Sequence, residues 1–379
     1  MAVVAPQSSP AVQRIAFVGP SGSAMRQWRE LLFADVITRG HRVLAIAPEF
    51  ASVDLASLDE IGAEHALMAP ESHGPKLFAD WKAIGALKAT LAEWAPDVVV
   101  TFGGQMMVHG ALAAKGIGAG RIVAVVDGLP EHRFAGALAA DEMPAWRYGQ
   151  ALRAAHQAVF HNRDDLALLK KLGLVPASLP TIVVPGSGVD LERNASLPLP
   201  PLDHGLVFLM IGGLDRRRGV MEYCAAAAKL RERSPTSRFL LAVTPDEGAQ
   251  AIDIAELQRS PDVEFLGLAE EEGELLTEAH VFVYPGYAEG MPQPILRALA
   301  AGRPVLVADA AGCREAVDTR VNGCLVEPRN PGALADAMES FLRRPDLIPA
   351  MARASRAKAE RFESVAGVRG KLLQILQLA

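Results

Sequence analysis

Three short stretches hold the residues whose types and spacing suit chemistry on an anionic substrate. In "YAEGMPQPILRALAAGRPV" (287–305), Glu289 precedes Gly290 between an apolar run and a helical one. A loop carboxylate there can hold hydroxyl groups, or only complement the dipole of the helix that follows. In "IGGLDRRRGV" (211–220), a glycine pair is followed by three arginines and by Gly219, which opens a helix. Arginine donates two parallel hydrogen bonds to phosphate oxygens, so this loop suits a diphosphate. Three consecutive arginines cannot all point one way; Arg218 is the expected phosphate ligand, with Arg217 beside it. In "GPSGSAM" (19–25), Gly19 and Gly22 allow a tight turn whose free N–H groups could face an anion. That spacing is not G-x-G-x-x-G, and no acid closes the next strand before Pro48, so a nicotinamide dinucleotide is not indicated. A plain strand-to-helix turn remains open for it.

These loops need strands to hold them. "RIAFVG" (14–19), "HRVLAIAP" (41–48), "PDVVVTFGG" (96–104), "RIVAVVDG" (121–128), "AVFHN" (158–162) and "TIVVPGSGVD" (181–190) are continuous apolar runs separated by helical segments. The proline-rich "LERNASLPLPPLDHG" (191–205) interrupts the pattern. It restarts with "LVFLMIGG" (206–213), "SRFLLAVTP" (237–245), "VEFLGL" (263–268), "VFVYPG" (281–286), "PVLVAD" (304–309) and "GCLVE" (323–327). Runs without strict alternation fit parallel sheets covered on both faces, whose ligands bind at the carboxyl ends of the strands. The expected architecture is α/β, two Rossmann-like domains facing each other across a cleft. Residues 14–190 form the first and 191–365 the second, with a loose tail at 1–13 and a helix at 366–379 that packs back on the first domain. The "FHNRDDLALL" stretch reads as a helix capped by Asn162 with Asp164 and Asp165 in its first turn.

Composition narrows the function. The 379 residues carry a net charge of −6, which gives no reason to expect a nucleic-acid partner. The three cysteines show no paired spacing and read as reduced thiols of a cytoplasmic protein. The opening residues do not read as a signal peptide, and no apolar run is long enough to span a bilayer. Membrane contact is therefore expected to be peripheral, through the basic amphipathic helix bearing Arg26, Trp28 and Arg29. The histidines form no metal-ligand spacing, and hydrolase-elbow and P-loop motifs are absent. No metal site and no cofactor is expected.

Taken together, the stretches resemble retaining glycosyltransferases of GT-B fold, specifically glycosyltransferase family 4. The likeness runs over residues 14–365 and is strongest at "VFVYPGYAEGMPQPILRALAAGRPVLVADAAGCREAVDTRVNGCLVEP" (281–328). "FHNRDDLALLKKLGLV" and "VVPGSGVDLER" look like the subgroup that builds bacterial surface polysaccharides and lipid-linked oligosaccharides. The resemblance implies a nucleotide-sugar donor, guessed as a UDP-linked N-acetylhexosamine, and transfer to a lipid-linked or glycan acceptor with retained configuration and no metal. It also implies work at the inner face of the cell membrane, which is anionic. Glu289 would hold donor-sugar hydroxyls, and Arg218 would meet the departing diphosphate with N–H groups after Gly290, where Met291 and Pro292 border the donor. Asp127 would lie at the floor of the acceptor site, and Leu268 near the nucleobase.

Two positions depart from the family's pattern. Arg297 stands where the family carries a second glutamate, eight positions after the first. Gly213 stands where it carries a phosphate-site arginine, whose lysine partner is matched by Arg218. A carboxylate at 297 would accept hydrogen bonds from ribose hydroxyls, whereas arginine only donates. Losing such a set is worth roughly 1.5–3 kcal/mol. A non-catalytic GT-B subunit is thus the alternative to an active transferase, and a sugar-nucleotide epimerase is a third reading.

Overall fold

The computed structural model describes residues 12–68, 76–129, 144–192, 194–231, 233–244, 252–269, 272–287, 290–362 and 364–378. The apolar runs became two parallel sheets. The first holds β1 (Arg14–Val18), β2 (Arg42–Ala47), β3 (Glu64–Leu67), β4 (Val98–Thr101), β5 (Arg121–Val126), β6 (Gln157–Phe160) and β7 (Thr181–Val183), in the order β3-β2-β1-β4-β5-β6-β7. The second holds β8 (Val207–Gly213), β9 (Arg238–Thr244), β10 (Glu264–Leu268), β11 (Val281–Tyr284), β12 (Val305–Ala308) and β13 (Gly323–Val326), in the order β10-β9-β8-β11-β12-β13. Both orders reverse after their first strand in sequence. Crevices therefore open beside the exits of β1 and β4 in one sheet and of β8 and β11 in the other.

The helices of the first unit are α1 (Gly22–Trp28), α2 (Ala34–Thr38), α3 (Ser52–Glu60), α4 (Lys76–Trp94), α5 (Gln105–Ile117), α6 (Ala145–Ala154) and α7 (Arg163–Lys171). The second unit carries α8 (Val220–Arg231), α9 (Ile254–Gln258), α10 (Glu272–Glu278), α11 (Gln293–Ala300), α12 (Pro331–Arg343) and α13 (Ile348–Ala359), and α14 (Val365–Ile375) ends the described chain. Helices on both faces explain the strand composition: every residue of β4, β8, β11 and β12 is buried. Edge strand β10 mixes half-buried and exposed residues, and so does edge strand β3. Its sequence "EHAL" has no apolar run to announce it.

The expected membrane helix is corrected by its surroundings. A π-helical turn at Arg29–Phe33 separates α1 from α2. The wider turn lets Phe33 face inward together with Trp28, Leu31, Leu32 and Val36, all of them buried. Trp28 packs on Phe17 and Phe102, with ring centroids 5.4 and 5.3 Å away. Arg26 pairs with Asp54 at 3.5 Å, and the side chain of Arg29 lies outside the described residues. Trp28 is core, because burying an aromatic ring is worth about 1.5–3 kcal/mol that a solvent-facing helix would forgo.

Two crossings join the units. The chain leaves the first sheet through Gly186, held at φ +55°, and Val189 pairs with Ser364 where α14 begins. From there α14 packs Val368, Leu372 and Leu373 into the same core as Ile15 and Phe17. Arg369 Nε donates to the Leu31 carbonyl at 2.8 Å. The proline-rich linker is docked to the second unit by Arg303, which is fully buried. Its guanidinium donates to the carbonyls of Leu276, Leu197, Ala301 and Pro198 at 2.8–3.2 Å. Burial lowers its pKa to about 10, and the carbonyls supply the partners that a buried cation requires.

Candidate active site

The second unit builds one wall from the loops after β8 and β11. Asp215, 1% exposed, accepts the Arg217 N–H at 2.8 Å and turns the chain into a short 3-10 turn, Arg216–Arg218. Gly219 follows at φ +79°, a conformation that costs glycine little. It also lies hard against the residue after β11: a Cβ there would sit 2.6 Å from the Pro285 carbonyl carbon. The Tyr287 N–H donates to the Arg217 carbonyl at 3.1 Å, and Cys313 Sγ donates to the Gly286 carbonyl at 3.5 Å. The two switch-point loops are thereby locked together.

Asp215 also sorts the three arginines. It takes the Arg217 guanidinium through both carboxylate oxygens, with Nε to Oδ1 at 2.8 Å. Arg216 pairs with Glu256 at 3.3 Å on the surface. Burial pushes the Asp215 carboxyl up, but the Arg217 hydrogen bonds and the charges of Arg217 and Arg218 outweigh it and hold the pKa below its usual value. Arg217, expected to bind donor, is neutralised within its own loop. The charge of Arg218 extends to Asp127 on the other unit.

The facing wall comes from the exits of β4, β5 and β6. Asp127 Oδ2 accepts the Gly103 N–H at 3.0 Å, and Gly103 and Gly104 turn into α5 with φ +78° and +53°. Burial raises Asp127 to a pKa of about 6, against the backbone N–H groups, including those of Gly103 and Gly104, and the charge of Arg218, which lower it. Beside it, His161 follows β6, and burial lowers its pKa to about 4, which leaves the imidazole neutral at pH 7. Gly290 closes the walls on each other. A Cβ at Gly290 would lie 2.2 Å from the Asp127 carbonyl oxygen and 2.8 Å from His161 Cβ, so only glycine fits.

The other expected residues fall differently. Glu289 lies outside the described residues. The Gly19 and Gly22 N–H groups donate to the carbonyls of Ile46 and Glu49 at 3.0 and 2.9 Å, so neither faces an anion. That loop is a plain strand-to-helix turn, its glycines required by Phe102 and Met25 beside Gly19 and by Asp54 and Phe50 beside Gly22. Gly213 is a buried residue of β8 paired with Thr244. Met291, 6% exposed, belongs to the core of the second unit, and its carbonyl oxygen with Gln293 seats Gly186. Its side chain supports the site instead of lining it, and Pro292 beside it is buried. Arg297 is half-exposed while Ile295, Leu296, Ala298 and Leu299 around it are buried. Leu268 and Leu266 are 54% and 42% exposed on edge strand β10.

Sequence reasoning missed Gly103, Gly104, His161 and Glu315, whose carboxylate accepts the Arg163 N–H from the first unit at 2.7 Å. "FGG" at a strand exit was the available signal for the glycines; nothing local marks His161 or Glu315 as facing another domain.

Residues 205–344 match the family described as glycosyl transferases group 1. The chain is a GT-B-fold protein with a glycosyl transferases group 1 domain. That domain contains β8 to β13 and the Arg218 and Gly290 loops. The chain is similar to the N,N'-diacetylbacillosaminyl-diphospho-undecaprenol alpha-1,3-N-acetylgalactosaminyltransferase of Campylobacter jejuni, 26% identical over 206 residues. That match covers 52% of this chain and 53% of the relative. The chain spans about half the length of the curated relatives it matches. Among solved structures, sucrose-phosphate synthase from Thermosynechococcus elongatus superposes with a TM-score of 0.73 at 18% identity, covering 96% of this chain and 98% of that one. Anabaena HepE in complex with UDP-glucose gives 0.72 at 16% identity, covering 97% and 100%. Likeness at such identity concerns the GT-B fold.

Proposed function

We propose that the protein is a retaining glycosyltransferase. It moves a sugar from a UDP-linked N-acetylhexosamine to a lipid-linked or polysaccharide acceptor in bacterial surface glycan synthesis. The observation that carries this reading is the cleft itself: Arg218 on a locked turn of one wall, Asp127 on the facing wall, and Gly290 pressed against that facing wall. Breaking a glycosidic bond to a diphosphate builds negative charge on the leaving group and positive charge on the sugar. Arg218 meets the first, with no metal required in this reading. Glu289, next to Gly290 in sequence, would hold the sugar hydroxyls. Asp127 forms the acceptor floor, and exposed Leu268 offers an apolar surface to the nucleobase. The donor and lipid carrier follow the Campylobacter relative, whose name gives an N-acetylgalactosaminyl transfer involving diphospho-undecaprenol.

Among the described residues no helix is long and apolar enough to cross a membrane. Contact with an anionic bilayer surface would be peripheral. Trp81 and Trp146, 78% and 51% exposed, support it; their neighbours Asp80 and Arg147 form an ion pair.

One observation favours a non-catalytic, nucleotide-holding subunit: Arg297 and Gly213 occupy positions where family 4 carries a glutamate and an arginine. Calorimetric titration with UDP, GDP and their sugars separates the readings, using native protein, Arg218→Ala and Arg297→Glu. Micromolar binding of one nucleotide-sugar, weakened by about ten- to a hundredfold in Arg218→Ala, is expected. Transfer of that sugar to a diphospho-lipid acceptor completes the test. No binding by the native protein, with binding gained in Arg297→Glu, would move the conclusion to the non-catalytic reading.

A further inference from the structure

Asn162 uses its whole carboxamide. Fully buried at the N-cap of α7, it accepts the Asp165 N–H on Oδ1 at 2.7 Å. Its Nδ2 donates to Asp165 Oδ2 at 2.8 Å and to the Gly290 carbonyl at 2.9 Å. The partners leave one orientation, since a flipped amide would set donor against donor and oxygen against carbonyl. Asp165 is itself anchored, because Oδ2 also accepts the Leu129 N–H at 3.2 Å, two residues beyond Asp127. The bond to Gly290 joins residues 128 apart in sequence and crosses from one domain to the other.

Neighbouring contacts follow the same line. The Arg163 N–H donates to Glu315 Oε1 at 2.7 Å, and Arg314 pairs with Asp164 at 3.2 Å. Both involve exposed groups, where water competes for the hydrogen bond and the ion pair contributes little. The buried Asn162 bond is the one with consequence, because its loss strands a carbonyl away from water.

We propose that Asn162 is a positioning residue of the donor site: its bond to the Gly290 carbonyl holds residues 290–292, just ahead of α11, against the acceptor domain. This rests on the glycosyltransferase reading, in which the backbone beyond Gly290 faces the donor. N-capping and loop docking reside in different atoms of one side chain. A serine at 162 keeps an oxygen for the cap but removes Nδ2 and its reach to Gly290.

The test compares native protein, Asn162→Ser and Asn162→Thr by hydrogen exchange, nucleotide titration and steady-state transfer. Asn162→Ser is expected to stay folded with a lowered thermal midpoint, while exchange in a peptide spanning 286–300 speeds up roughly five- to tenfold. UDP affinity should change less than threefold, whereas kcat should fall about tenfold or more. Asn162→Thr keeps the cap oxygen without Nδ2 and carries the same test if the serine variant does not fold. Unchanged exchange over 286–300 in either folded variant would overturn the proposal, as would loss of UDP affinity matching the loss of kcat. Should native protein transfer no sugar, the glycosyltransferase reading fails while the exchange arm still decides the docking role.

Discussion

Gly290→Ala tests whether the site depends on the two walls touching. The added Cβ would lie 2.2 Å from the Asp127 carbonyl oxygen, 2.6 Å from its carbonyl carbon and 2.8 Å from His161 Cβ. None of these atoms can rotate away, since two belong to backbone and the third is bonded to it. Reaching an ordinary contact of ~3.5 Å from 2.2 Å asks the loop to withdraw by about 1.3 Å. The Asn162 bond to Gly290, now 2.9 Å, would then stretch past hydrogen-bonding range. Overpacking of this kind costs roughly 1–3 kcal/mol, and a displacement of ~1 Å at reacting groups costs on the order of a hundredfold in rate. The assay is kcat/KM for transfer from the donor that titration identifies, alongside urea unfolding. UDP affinity should persist, because the Arg218 turn and its Pro285 support lie within one domain. Gly273→Ala is the control: nothing lies within 4 Å of its added Cβ. A Gly290→Ala enzyme with kcat/KM within about threefold of native would refute the claim that a glycine-tight interface assembles the site.

Asp165 makes stability pH-dependent. Burial, more than the charges of Asp164 and Asp127, raises its pKa from 3.8 to about 7, against the hydrogen bonds from Asn162 and Leu129. The folded protein thus holds a proton that the unfolded chain releases, so stability is greatest below about pH 4 as far as this group is concerned and declines as pH rises to about 7. The difference between 3.8 and about 7 bounds the effect at roughly 4 kcal/mol; Asp165→Asn should flatten the pH dependence of urea unfolding across that window, and an unchanged slope would contradict the assignment. At the surface, Trp81→Ala with Trp146→Ala should lower co-sedimentation with anionic phospholipid vesicles about tenfold or more. Failure of native protein to co-sediment would remove the proposed membrane contact.

The two sheets were legible in the sequence because burial on both faces leaves a local mark, an apolar run ended by glycine or proline. Strand β3 was not legible, since a half-exposed edge strand of four residues carries no such mark. Loop residues followed the same division. The arginine triplet announced a phosphate-suited turn, yet only Asp215 decides that Arg217 is held internally while the charge of Arg218 reaches the cleft. Gly19 and Gly22 carried the same local signal as Gly290, but the carbonyls of Ile46 and Glu49 claim their N–H groups. The indole of Trp28 looked like an interfacial anchor until Phe17 and Phe102 enclosed it. Asn162 was readable as a helix cap, a bond spanning three residues; its second bond, to Gly290 across 128 residues, was not. Residue type and spacing determine what a side chain is able to bond. Which partner it meets depends on how two domains approach, and only the tertiary structure decides that.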